Sequence, residues 1–382
     1  MDLSYLRPIY AQPGPWASVY IDATRSEQNA DREVGLRWRA LAEHLQNLGA
    51  DQPTVDAVGD AIMTYPFQEG HYGLAVFARA GRTALVEPMN APPPADEARF
   101  SELPHAMPLV ALRGEDIPYV RVVADRTGAD LEGLAVAAAP RSREVDRTVK
   151  GHETFPLRKV HADGPRRQDD HGAVDEAWKR NAGDVAGATA DLAEAVGAEV
   201  VVVGGDVRTV PIFVSRLPKR WQERVVSTDA GSRGAGADEE ALDDVTIQAI
   251  ADVADRHTRA AIDRYQTQRG EDVAPTGLDG VARALARRQA ESVLLVNDLS
   301  STDTLFVGLE DPSLVAVDAA TLRAEGVEDP LRVRADQALL RAIHGTDADL
   351  VLVGPDDAPL EHGIGAVLRY ADRPGGNPGG PT

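Results

Sequence analysis

From Val174 onward the apolar positions recur at helical spacing. Val174, Trp178, Val185, Thr189, Leu192 and Val196 stand about 3.6 residues apart or at multiples of that interval, which lines one face of a long helix that must pack on something. Val200 to Val203 follows as an unbroken apolar run closed by Gly204 and Gly205, the pattern of a strand covered on both faces. Before the helix, Arg158 to His171 is polar and rich in proline, glycine and paired charges. It reads as a loop projecting from the helix root, where contacts with partners concentrate.

Ahead of this stretch, short apolar runs alternate with amphipathic ones. Trp16 to Ile21 predicts a buried strand, and Asp31 to Leu48 a helix with Val34, Trp38, Leu41, Leu45 and Leu48 along one face. Thr54 to Met63 predicts a second helix with Thr54 as its N-cap. A hairpin is expected from Tyr72 to Phe77 and Thr83 to Val86, with a closing strand from Met107 to Leu112. Tyr119 to Ala124 and Leu131 to Ala138 predict a strand pair around a glycine turn.

Beyond the Val200 strand, Pro211 to Leu217 predicts a helix, Trp221 to Ser227 a short strand, and Ala241 to Tyr265 a long helix leading into the last part. There Leu278 to Arg288 and Arg334 to His344 read as helices, Val293 to Val296 and Leu350 to Val353 as buried strands, and Leu305 to Val307 as an edge strand. Helices alternating with short apolar strands give an α/β fold. A turn-rich break at Arg113 to Ile117 and a glycine-rich loop before Ala241 divide it into three α/β domains, 1–114, 115–257 and 258–373. The Pro/Gly-rich tail 374–382 is expected to be disordered.

Charge narrows the function. The 382 residues carry 40 Lys and Arg against 61 Asp and Glu, a net charge of -21, which argues against DNA and against indiscriminate RNA binding. Any RNA contact must be local. Arg141, Arg143, Arg147, Lys150, Arg158, Lys159, Arg166 and Arg167 outnumber Glu144, Asp146, Glu153 and Asp163 in one such patch.

The chain has no cysteine, which excludes disulfides and fits a reducing cytoplasm. With no apolar run of membrane-spanning length and no signal pattern in MDLSYLRPIY, a cytoplasmic protein is expected. Metal and cofactor sites are not expected. His152, His161 and His171 match no helical ligand spacing, and Val203-Gly204-Gly205-Asp206-Val207-Arg208 lacks a Walker lysine and a G-x-G-x-x-G pattern. Asp169-Asp170 reads as a cap on the long helix.

The order strand, glycine turn, strand, basic loop carrying a glutamine, long helix, Val-rich strand resembles the middle domain of archaeal and eukaryotic class I peptide chain release factors. Val122-Val123-Ala124-Asp125-Arg126-Thr127-Gly128-Ala129 resembles that family's opening strand and turn, and Gln168 falls near its loop glutamine. His362-Gly363-Ile364-Gly365-Ala366-Val367-Leu368-Arg369-Tyr370 is similar to the signature closing the C-terminal domain of release factors and Pelota. Read without the family, its glycines permit a tight turn into a buried final strand and nothing more. The resemblance spans roughly residues 117–371, covering domains 2 and 3 of the family. The N-terminal layout resembles bacterial members more loosely, among them the ribosome hibernation factor Balon and its actinobacterial relatives.

The resemblance implies a middle domain that enters the large ribosomal subunit and a C-terminal domain that docks a translational GTPase, with the 70S ribosome, ribosomal RNA and elongation factor Tu as expected partners. In the family a Gly-Gly-Gln loop hydrolyses peptidyl-tRNA, its glutamine backbone N–H positioning a water. Here Arg166 and Arg167 stand where the two glycines belong. Their Cβ atoms make the same close approach costly, so hydrolysis is not expected. Their guanidinium groups suit phosphates and stacked bases. Arg158, Lys159, Arg166, Arg167 and Gln168 are the candidate RNA contacts. The codon-reading Asn-Ile-Lys-Ser motif and its cysteine-bearing companion do not occur, so stop-codon decoding is not expected. Three readings stay open: a ribosome hibernation or rescue factor in the A site, a peptidyl-tRNA hydrolase or RNA-cleaving enzyme, and a stress-linked protein adaptor.

Overall fold

The computed structural model describes residues 1–24, 30–66, 70–125, 128–135, 143–150, 170–205, 207–230, 239–298 and 301–370. The chain opens with α1 (Arg7–Tyr10), β1 (Trp16–Asp22), α2 (Ala30–Asn47), α3 (Gln52–Thr64), β2 (Gly73–Arg79), β3 (Arg82–Met89), β4 (Glu97–Ser101) and α4 (Met107–Arg113). The four strands form an antiparallel sheet in the order β3-β2-β1-β4. Side chains alternate across β1. Ala17, Val19 and Ile21 pack with Val34 and Leu45 of α2 and Val58 and Ile62 of α3. Trp16 and Tyr20 point into a second cluster with Leu6, Phe77 and Val110.

Two details differ from the sequence reading. The cap of α3 is Asp51, whose carboxylate accepts from the Thr54 N–H at 3.0 Å; Pro53 fits the first turn, so the helix starts earlier than Thr54. Met107 to Leu112 is helical because Pro108 sits in a first turn, and Glu97–Ser101 already holds the β1 edge.

Next come β5 (Tyr119–Asp125), β6 (Gly128–Ala135), β7 (Arg143–Lys150), α5 (Asp170–Val196), β8 (Val200–Gly205), α6 (Thr209–Arg216), α7 (Lys219–Gln222), β9 (Val225–Ser227) and α8 (Glu239–Gly270). The sheet order is β7-β6-β5-β8-β9, with β5, β8 and β9 mutually parallel and β6 antiparallel to its neighbours. α5 and α6 cover Val120, Val122, Val201 and Val203 on one face. Leu242, Ala249 and Val253 of α8 cover Val200 and Val202 on the other. Trp221, expected in a strand, lies in α7, one short turn ahead of β9.

The last part holds α9 (Gly277–Ala286), β10 (Ala290–Val296), β11 (Thr304–Val307), β12 (Val315–Ala316), α10 (Ala319–Ala324), β13 (Leu331–Arg334), α11 (Ala335–Gly345), β14 (Asp349–Val353) and β15 (Ile364–Leu368). Its sheets run β14-β10-β15 and β12-β11-β13. The segment from Leu305 to Val307, expected at an edge, is therefore central to its sheet, paired on both sides.

Contacts gather the chain into two compact units, Met1–Glu115 with Thr258–Thr382, and Asp116–His257. The outer segments, read from sequence as separate domains, share one buried cluster in which Trp16, Phe77 and Val110 join Leu285, Val293, Leu340 and Ile364. The tail 374–382 lies outside the described residues.

Candidate nucleic-acid interface

The middle unit has two distinct ends. Because β5, β8 and β9 are parallel, their carboxyl termini share one end of the sheet. Lys150, the last residue of β7, pairs with Gly128, which pairs in turn with Asp125, so β7 finishes there too. β8 closes at that end with Gly204 and Gly205. A Cβ on Gly205, whose φ is +141°, would stand 2.1 Å from the Ala124 carbonyl oxygen, and one on Gly204 would stand 2.5 Å from the Ala230 carbonyl oxygen. No side chain fits either position without moving backbone.

α5 starts at Asp170 and ends at Val196, just before β8 begins, so its N-terminus is directed to the end where Lys150 lies. Twenty-seven residues make a helix of about 40 Å, against about 20 Å for the six residues of β8. Its described buried face is Ala182, Val185, Ala186, Thr189, Leu192, Ala193 and Val196, with Asn181 also buried. The Thr189 hydroxyl donates to the Val185 carbonyl at 2.8 Å, which keeps a polar atom satisfied inside this seam. On the opposite sheet face Arg121 meets Glu132, its cross-strand partner, at 2.8 Å and also donates to Asp243 of α8. Burial works against its charge, but the two carboxylates outweigh it and hold the guanidinium above its ordinary pKa.

Arg158, Lys159, Arg166, Arg167 and Gln168 lie outside the described residues, as do His152 and His161. Of the basic patch, Arg143, Arg147 and Lys150 fall on β7, an edge strand where the sequence reading had only loop. Val145, Arg147 and Val149 alternating with Asp146 and Thr148 was the period-two signal for it. Among the described residues no group of three or more His, Asp or Glu side chains could hold a metal ion. No described helix is long and apolar enough to cross a membrane.

The other end of the unit carries a cationic cluster that the sequence reading passed over. Arg216 ends α6, and Lys219, Arg220 and Arg224 follow on and after α7; all four are exposed. Trp221 between them is 4% exposed, and the guanidinium carbons of Arg220 and Arg224 lie 5.3 and 5.5 Å from its ring centroid.

The family model for bacterial archaeo-eukaryotic release factor family 2 matches residues 118–271. The uncharacterized proteins Rv2629 and MT2704, from two strains of Mycobacterium tuberculosis, are each 31% identical over 373 residues, spanning 96% of this chain and 96% of theirs. Among solved structures, ribosome-bound archaeal Pelota with ABCE1 is similar over 96% of this chain and 93% of that chain, at 14% identity and a TM-score of 0.40. Archaeoglobus fulgidus Pelota is similar over 79% and 80%, at 15% identity and 0.35. The archaeal termination factor aRF1 is similar over 94% and 93%, at 16% identity and 0.24. The family match and the near full-length relatives lead to one conclusion: the chain belongs to the bacterial archaeo-eukaryotic release factor family.

Proposed function

We propose that this protein is a ribosome-binding translation factor that occupies the A site as a hibernation or rescue factor, without stop-codon-dependent peptide release. The observation that carries this is Arg166-Arg167-Gln168 standing where a chain of this superfamily would have Gly-Gly-Gln. Two glycines let a backbone bend freely and come close to the ester carbonyl; two arginines prevent that approach while adding two phosphate-binding forks. Arg158, Lys159, Arg166, Arg167 and Gln168 contact ribosomal RNA. A translational GTPase such as elongation factor Tu is the partner of the C-terminal segment, and the protein acts in the cytoplasm.

The test is sedimentation of lysates from growing and starved cells through sucrose gradients, following the protein by antibody. Comigration with 70S particles in either state supports the proposal; absence from 70S in both favours the adaptor reading. Adding the purified protein to stop-codon-programmed ribosomes should release no peptide above background. Stop-dependent release would overturn the non-hydrolytic half of the proposal.

A further inference from the structure

Arg216, Lys219, Arg220 and Arg224 sit at the end of the middle unit opposite the flanks of residues 151–169. We infer that they form a second RNA-backbone contact, an inference that rests on the ribosome-binding reading above. The cluster is anchored from within. Leu217 and Trp221, 3% and 4% exposed, are buried in the same core as Val196 and Val201. The Gln222 side chain donates to the Leu217 carbonyl at 2.7 Å and fixes the corner between α6 and α7.

On that anchor two guanidinium groups are held in advance. Arg220 and Arg224 lie over the Trp221 ring, whose electron-rich face attracts cations. Arg224 also donates to the Ala198 carbonyl at 3.1 Å, just past the end of α5. Side chains already ordered lose less freedom on binding. Arg216 and Lys219 extend the cluster along the same corner.

The acidic groups nearby do not cancel it. Glu194 of α5 pairs with Arg220, Glu223 is exposed, and Glu199 is engaged by His257 at 2.7 Å. Arg220 is thus paired within the chain, while Arg216, Lys219 and Arg224 face Glu223 on a chain whose net charge is -21. Phosphate is the fitting ligand because guanidinium forks match its oxygens in pairs. A protein partner needs an apolar anchor at the centre of its contact. Here the corner's large apolar side chains, Leu217 and Trp221, are buried, and only Pro218 and the partly exposed Val226 lie at the surface beside them. The two ends of α5 are about 40 Å apart. A second contact at this end would make the unit a strut fixed to RNA at both ends rather than a single probing tip.

The test compares 70S binding of the wild type, the variant Arg216→Gln, Lys219→Gln, Arg220→Gln, and the variant Arg166→Ala, Arg167→Ala over a range of salt concentrations. The triple variant should bind tenfold or more weakly and lose roughly 0.7–0.9 of log-log salt slope per phosphate contact removed. Unchanged affinity and slope in a folded triple variant, while the double variant weakens, overturns this inference and leaves the proposed function standing. Loss of affinity with an unchanged slope means that the three side chains neutralise no phosphate and also overturns it. Failure of the wild type to bind 70S removes both. As the chain has no cysteine, Glu223→Cys gives a single site for a tethered hydroxyl-radical source. Cleavage of ribosomal RNA around that tether is the expected result, and its absence on a bound ribosome counts against the inference.

Discussion

Gln337 reaches back 236 residues to Ser101, donating from its side-chain amide to the Ser101 hydroxyl at 3.1 Å and to the Leu103 carbonyl at 3.2 Å. At 3% exposed, it joins the start of α11 to the end of β4 inside the cluster that the two outer segments share. The change Gln337→Leu is expected to cost about 1 kcal/mol. The figure sits low in the range because the Ser101 hydroxyl already donates to the Leu103 carbonyl at 2.8 Å and would keep it satisfied. A urea melt reads this directly, and a loss above about 3 kcal/mol would mean that the amide holds more than these two groups.

The closed end of β8 makes a sharper test. Gly205→Ala forces a methyl group against the Ala124 carbonyl at a φ that side chains rarely adopt. We expect a loss of about 2–4 kcal/mol, overpacking and backbone strain together. Gly183→Ala in α5 is the control. That site is open, with nothing within 4 Å, and alanine there should stabilise by about 0.5–1 kcal/mol. Thermal melts of both proteins should move in opposite directions.

On the proposed function, ribosome affinity should depend on Arg166 and Arg167. Arg166→Ala, Arg167→Ala is expected to weaken 70S binding about tenfold or more, taking about 1 kcal/mol per charge-assisted contact. Its stability should change by no more than about 0.5 kcal/mol. Binding measured at several salt concentrations beside a melt separates the two effects.

Acid should destabilise the unit formed by the outer segments, beginning near pH 6.5. Burial lowers the pKa of His344, which stacks on Tyr10 at 5.3 Å, and burial likewise lowers that of His105, against the opposing pull of Asp336 at 3.6 Å. With the folded pKa below the unfolded value of 6.5, the unfolded chain binds protons first as pH falls. Stability is full above pH 6.5, declines as pH drops towards the folded pKa values, and then levels off. His344→Phe keeps a ring against Tyr10 and removes one titration. Denaturation midpoints between pH 7.5 and 5 should therefore fall less steeply in this variant, and an identical slope would exclude His344 as a contributor.

Most elements could be read from the chain because burial wrote a period into it. The runs at Trp16, Val200 and Leu350 are strands, and the faces from Val34 to Leu45 and from Val185 to Val196 are helical. Met107 to Leu112 failed because six apolar residues carry no period of their own, and the arbiter was Pro108. β7 was hidden by its charges, which drew attention to composition instead of alternation. At the site, the reading of Arg166 and Arg167 in the place of two glycines comes only from setting the chain beside the family motif. The second cationic cluster was missed for another reason. Taking Trp221 as a strand residue concealed that Arg220 and Arg224 flank its ring.

The division of the chain into units also sets an order of events during synthesis. Residues up to Glu115 emerge first, yet part of the cluster they help to form is supplied only by residues after Thr258. At roughly 5–20 residues per second the ribosome takes roughly seven to thirty seconds to make what lies between. In that interval Ala17, Val19 and Ile21 already have α2 and α3 to cover them, because those helices follow at once. The cluster around Trp16, Tyr20 and Phe77 must wait for partners such as Leu285, Leu340 and Ile364. The nascent chain therefore carries an incompletely covered aromatic surface for many seconds, an opening for chaperones and a hazard without them, while the intervening unit folds on its own sheet.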